Sequence, residues 1–141
     1  MSLEENKALV RKVIEAINRQ NLDILEELVA PDYFDHTHQL NPEGAKKFMK
    51  ILFEAFPDWH ETIEDIVAEG DKVCIRVKAT GTHKGEWRGL APTGKRITVM
   101  GVNIYRIVNG KGVEGWAVDD WMAAFKQLGV IEYKGVPDEV K

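Results

Sequence analysis

One cysteine and one serine stand among 141 residues, and each scarcity removes a class of chemistry. Cys74 alone cannot close an internal disulfide and fits a reducing, cytoplasmic setting. Ser2, the single serine, leaves no residue for Ser–His–Asp hydrolysis within the body of the chain. No apolar run approaches the roughly 20 residues of a membrane span. Glu, Lys and Arg interrupt residues 2–20, so no secretory apolar segment is expected there. Positive charge is also short. The 19 Lys and Arg against 23 Asp and Glu give a net charge of −4, without the basic stripe that nucleic acid requires. What remains is 44% hydrophobic and 30% charged, enough to bury the core of one domain over residues 1–141.

Helical periodicity comes first along the chain. Leu9, Val13 and Ile17, with Val10 and Ile14 beside them, make one apolar stripe, opposite Glu4, Lys7, Arg11 and Arg19. Asn21 is placed to cap a short helix through Leu22, Leu25 and Leu28, which Pro31 ends. Pro42 opens a third helix that runs to about Phe56, before Pro57. The period then falls from 3.6 to 2. Residues 62–67 and 72–79 read as antiparallel strands about the Gly70-Asp71 turn. A longer strand is expected over residues 97–108, with a bulge or bend at Gly101. Asn109-Gly110 turns it into a last strand from 112 to about 120, and residues 121–128 close the pattern as a helix. Residues from Gly135 onward read as frayed. Helices followed by an antiparallel sheet indicate an α+β fold.

Two nucleotide motifs are spelled and fail. In Gly89-Leu-Ala-Pro-Thr-Gly94-Lys95 the Mg²⁺-binding position is Arg96, and Pro92 removes a phosphate-cradling N–H. In Gly110-Lys-Gly112-Val-Glu-Gly115 the first glycine belongs to the Asn-Gly turn, and too little chain follows for a βαβ unit.

The densest chemistry lies in Glu114-Gly-Trp116-Ala-Val-Asp119-Asp120-Trp121. Strand alternation puts Glu114, Trp116, Val118 and Asp120 on one face, two carboxylates beside an indole. A carboxylate against apolar surface is raised toward the range of a general base. The competing reading makes Glu114 a cross-strand ion-pair partner and Asp120 the N-cap of the closing helix. His36 and His38 are spaced as a metal-binding pair, but no third ligand accompanies them, so no metal is expected. His83 is a lone histidine at a strand end, and Arg76, on a Val- and Ile-rich strand, faces either a cavity or solvent. Cys74 reads as an inert buried thiol.

Ordered pieces across residues 7–131 carry a family likeness. They include the His36 segment, Ala55-Phe-Pro-Asp58, Glu69-Gly-Asp-Lys-Val73, Gly81-Thr-His-Lys-Gly85, Gly89-Leu-Ala-Pro-Thr-Gly-Lys95, Gly110-Lys-Gly-Val-Glu114, Trp116, Asp120 and Gln127-Leu-Gly129. The chain resembles the SnoaL-like polyketide cyclases, or ester cyclases, of the NTF2-like group. The resemblance implies N-terminal helices packed on a strongly curved, mostly antiparallel sheet that encloses a pocket. It also implies a cofactor-independent aldol closure of a small hydrophobic carbonyl or ester compound. The family's acid/base aspartate in the last strand matches Asp120, with Asp119 the alternative. His36, His83, Trp116, Glu114, Arg76 and Tyr105 are then the candidate substrate-binding residues. Gly115 and Ala117 depart from the larger residues that the family often carries there. Other chemistry suits the same fold: a non-catalytic small-molecule carrier, an isomerase, a dehydratase or an epoxide hydrolase. A homodimer is expected through the outer sheet face, because the strand at 97–108 is apolar on both sides.

Overall fold

The apolar stripe of the first helix meets a capping box at its start. A computed structural model describes residues 2–132 and 134–141, and in it α1 (Leu3–Asn18) begins at Ser2. The Ser2 hydroxyl accepts from the Glu5 N–H while the Glu5 side chain accepts from the Ser2 N–H. Asn21 caps α2 (Leu22–Leu28), and Asn41 caps α3 (Pro42–Ala55), with Pro42 in its first turn.

The sheet comprises β1 (Val29–Asp35), β2 (His60–Glu69), β3 (Lys72–Thr82), β4 (Arg96–Val108) and β5 (Lys111–Asp119), in the order β1-β5-β4-β3-β2. Only β1 runs parallel to its neighbour, β5; the other pairings are antiparallel. The expected α+β architecture is present, with one strand more than the sequence suggested. α2 ends at Leu28, before Pro31 as expected, but Pro31 itself lies within β1. An edge strand tolerates a residue without an N–H, and the β1–β5 register shifts between Val29 and Phe34. Asn109 and Gly110 both hold positive φ, 51° and 73°, as the tight β4–β5 hairpin requires.

The expected break at Gly101 is absent. The β3–β4 register runs unshifted from Lys72↔Arg106 to Thr82↔Arg96, and the bulges fall at Ile63/Asp65 and at Arg106/Ile107. Helices cover one face of the sheet. Val10, Ile14 and Ile17 of α1 are buried together with Val73, Ile75 and Val77 of β3. Around them Phe56, Trp87, Trp121 and Phe125 pack ring against ring: Phe56 meets Trp87 edge-on, Phe125 stacks on Trp87, and the Trp87 and Trp121 centroids are 4.8 Å apart. Burying such side chains stabilises by roughly 1.5–3 kcal/mol each. The closing helix α4 (Trp121–Leu128) is pinned to β4 by Gln127, which accepts from the Thr98 N–H at 2.7 Å and donates to the Thr98 carbonyl at 2.9 Å. Gly129 ends it in the left-handed region, φ 77°. Residues 134–141 are exposed, with one 3-10 turn at Asp138–Val140.

Candidate active site

Between the helices and the sheet lies a cavity of about 200 Å³. Its helix side is mostly apolar, formed by Val10, Val13, Leu25, Leu28, Met49 and Leu52, with Glu26 and Lys46 also bordering it. The sheet side carries the polar groups, and strand register decides which they are. Along β4, Ile97, Val99, Gly101, Asn103 and Tyr105 alternate inward; opposite them on β5 stand Asp119, Ala117 and Gly115.

Asp119 ends β5 and faces Gly101. A side chain at 101 would collide with its carboxylate, so the glycine supplies the space the acid occupies. Burial raises the Asp119 carboxyl above the ordinary range; His38 draws it down and Asp35 pushes it up. His38 Nδ1 is 2.8 Å from Asp35 Oδ2, and Asp35 Oδ1 accepts from the Thr37 and His38 N–H groups at 2.9 and 3.1 Å. The Asp35 carboxylate, which also borders the cavity, therefore fixes the orientation of the histidine.

Glu61 faces the same cavity from β2 and is only 8% exposed. The Trp59 indole donates to its Oε2 at 3.0 Å, and Asn18 of α1 grips its backbone through two hydrogen bonds, 2.7 and 2.9 Å. Burial pushes the Glu61 carboxyl up to about 7, against the pull of the Trp59 hydrogen bond and with a further push from Asp119. Tyr33 and Tyr105 complete the polar side. Burial holds both phenols above their ordinary value, so each keeps its proton to donate. The Tyr33 hydroxyl sits where a side chain at Gly115 would stand, and the Tyr105 hydroxyl accepts from Asn103 Nδ2 at 3.4 Å. Asn103 Oδ1 is buried without a hydrogen-bond partner among the described residues.

The residues expected from sequence divide sharply. Tyr105 borders the cavity. Asp120 does not: its carboxylate accepts from the Ala123 N–H at 3.0 Å as the N-cap of α4, the structural alternative, and the inward carboxylate is Asp119. Glu114 and Trp116 lie on the opposite face of β5, because alternation from the inward Asp119 through the unshifted register gives the inward positions to Ala117 and Gly115. There Glu114 binds Arg106 Nε at 2.5 Å and His36 Nε2 at 3.0 Å, and the His36 ring stacks on Trp116 with centroids 5.0 Å apart. His36 thus belongs to the outer face, and its neighbour in spacing, His38, to the cavity. Arg76 is exposed and paired with Asp65 at 2.6 Å. His83 is fully buried away from the cavity, where its Nδ1 accepts from the Thr93 N–H at 3.2 Å and holds the β3–β4 loop. Cys74 is half-buried rather than fully buried. Sequence reading passed over Tyr33, Glu61 and Asn103, and it weighed His38 as half of a metal-binding pair rather than as a cavity group partnered by Asp35. The available signal was alternation counted from Ile97 and Val99, whose burial sets the parity of β4. No group of three or more His, Cys, Asp or Glu among the described residues is arranged to hold a metal ion.

Residues 7–128 match the family model of the SnoaL-like polyketide cyclases. Aklanonic acid methyl ester cyclase DauD of Streptomyces sp. (strain C5) is 30% identical over 129 residues, covering 86% of this chain and 80% of the relative. The corresponding cyclase DnrD of Streptomyces peucetius is 29% identical over 129 residues, 86% and 88% of the two chains. Among solved structures, AclR of Streptomyces galilaeus, a candidate hydroxylase, superposes with a TM-score of 0.87 at 33% identity, covering 93% of this chain and all of that one, 100%. IdmH of Streptomyces antibioticus, a candidate polyketide cyclase, gives 0.80 at 32% identity, covering 88% and 98%.

Proposed function

The chain belongs to the SnoaL-like polyketide cyclase family, and on that premise we propose that it closes a ring in a small hydrophobic polyketide ester by aldol chemistry. The observation that carries the reading is the position of Asp119: a half-buried carboxylate at the end of the last strand, bordering a largely apolar cavity. The family's acid/base aspartate of that strand is thereby assigned to Asp119, and Asp120 to the cap.

In this reading Asp119 takes a proton from a carbon flanked by carbonyl groups. Such a carbon is acidic enough for a carboxylate whose basicity burial has raised. Tyr33 and Tyr105 donate toward the oxygen on which charge grows, and their fixed orientation lowers the barrier without reorganisation in the reacting state. The apolar helix side folds the rest of the substrate so that the nucleophilic carbon meets the second carbonyl. His38, oriented by Asp35, stands beside the base. Every step uses side chains of the chain itself. The reading includes a homodimer in the cytoplasm. Support for the dimer comes from the exposed Val67, Val102 and Val118 on the outer sheet face, 61%, 43% and 73% accessible. Support for a reducing compartment comes from the lone Cys74. Among the described residues no helix is long and apolar enough to cross a membrane.

Aklanonic acid methyl ester, the compound in the names of DauD and DnrD, is the first substrate to try. Conversion to a product of unchanged mass, lost in Asp119→Asn, is the expected result. Tight binding with no product would instead make the protein a small-molecule carrier.

A further inference from the structure

The cavity holds a second acid that ring closure by Asp119 alone leaves without a task. We propose that Glu61 is a catalytic residue of this cavity, the proton donor to the carbonyl oxygen that becomes an enol when Asp119 takes the proton from carbon. This rests on the reading of Asp119 as base, and it adds an activity separable from ring closure: enolisation of β-keto esters as a class.

The geometry distinguishes the two oxygens of Glu61. Oε2 is occupied by the Trp59 N–H, so the carbonyl-like oxygen of a protonated acid is already satisfied. Oε1 has no hydrogen-bond partner among the described residues and is left to the cavity. A purely structural acceptor for one indole N–H would not need a second, ionisable oxygen. No Lys or Arg among the described residues pairs with Glu61, and the clamp from Asn18 removes the backbone freedom by which it could turn to solvent. Sheet register puts Glu61 opposite Ala79 and then Val99, in the row next to Asp119, Gly101 and Val77, so small residues stand between the two acids. The titratable groups that share the cavity are Asp119, Tyr105, Tyr33, Asp35 and His38, with Glu26 and Lys46 from α2 and α3. Asp119 is the one carboxylate among them that adds to the upward push on Glu61. Two acids with unequal proton affinities in one site take opposite roles.

The step balances. The C–H bond breaks toward Asp119, its electron pair forms the C=C bond, and the carbonyl π pair moves to oxygen, which takes the Glu61 proton. Asp119 is then neutral and Glu61 ionised. When the enol carbon attacks the second carbonyl, the enol proton returns to Glu61 and the Asp119 proton passes to the new alkoxide oxygen. Both acids end as they began; on a substrate with no second carbonyl to attack, the Asp119 proton exchanges with solvent and reversal of the step returns a deuteron to carbon.

The test uses the full-length protein and ethyl acetoacetate in D₂O, with α-proton exchange followed by proton NMR across pH. Wild-type exchange should exceed the solvent rate and fall as pH rises through about 7, where Glu61 ionises. Glu61→Gln keeps the Trp59 acceptor; it should lower kcat by roughly 10²–10³-fold with little change in KM and abolish that alkaline limb. Glu61→Asp should restore part of the rate and the limb. In parallel, infrared difference spectra should show the carbonyl stretch of a protonated acid that decays over the same pH range. That measurement needs no variant, and so decides the matter should Glu61→Gln fold poorly. No wild-type exchange, an unchanged alkaline limb in Glu61→Gln, or no protonated acid below pH 7 would each overturn the proposal. Glu61-dependent exchange without cyclisation of aklanonic acid methyl ester would uphold it and sink the ring-closure reading instead.

Discussion

The carboxylate of Asp119 occupies the space that a side chain on Gly101 would need. Glycine here is a demand of the neighbouring carboxylate and not of the backbone, since β4 continues through it without a shift. Gly101→Ala should displace the carboxylate or push β5 from β4. The expected cost is about 1–3 kcal/mol from overpacking, with turnover falling further than the stability loss explains. Urea melts beside turnover assays of the folded fraction would check it; an alanine variant of full activity would mean that the carboxylate works from another position.

Asp119 and Asp120 are adjacent and should fail in opposite ways. Asp120→Ala removes the α4 cap and should cost about 1 kcal/mol, with turnover by the folded protein retained. Asp119→Asn should leave the fold intact and lower turnover by roughly 10²–10⁴-fold, the scale of general-base catalysis. Swapped outcomes would return the base to Asp120.

What could be read in advance was local. Three-to-four-residue periodicity, Asn caps, and the Gly70 and Asn109-Gly110 turns act over a few residues, and they fix α1, α2, α3 and both hairpins. β1 was illegible because its ladder partner is β5, far along the chain, and Pro31 looks locally like a stop. The inward face of β5 misled for a different reason. Trp116 and Val118 are large and apolar but face outward, while the cavity side carries Gly115 and Ala117, left small by Tyr33 and the space they border. Hydrophobicity identifies the buried face only when one face is apolar, and here both are. The same slip of one residue exchanged Asp119 for Asp120; the same alternation, lost in the turn after β1, put His36 in the place of His38.

That outward apolar face carries its own consequence. Val118 is 73% accessible and Val102, directly opposite it on β4, is 43%. A cross-strand pair of valines in water offers area for burial worth about 25 cal/mol per Å². The homodimer reading expects light scattering at micromolar concentration to give twice the 16.0 kDa chain mass. Val118→Asp with Val102→Lys should yield a folded monomer. A wild-type monomer would remove the dimer from the reading.

The pH dependence of stability tests Glu61 without any substrate. Its carboxyl is raised by burial from an ordinary 4.5 to about 7 in the folded protein. Below pH 4.5 the group is protonated in both states and imposes no penalty. As pH rises from there, the unfolded chain releases the proton while the folded one keeps it, so unfolding gains ground. The stabilisation present at low pH is lost as pH passes through about 7, and little further change is expected above pH 8. The loss should be roughly 3 kcal/mol, since each tenfold difference in proton affinity between the two states is worth about 1.4 kcal/mol. Asp119, also raised by burial, acts in the same direction and starts at lower pH. Glu61→Gln carries no charge to bury and keeps an oxygen for the Trp59 N–H, so its stability should decline less between pH 5 and 8. The two proteins should therefore differ most above pH 7, with the variant the more stable relative to its own value at pH 5. Equal slopes in urea unfolding would mean that Glu61 ionises as readily inside the protein as outside, and the acid role assigned to it would fall with that result.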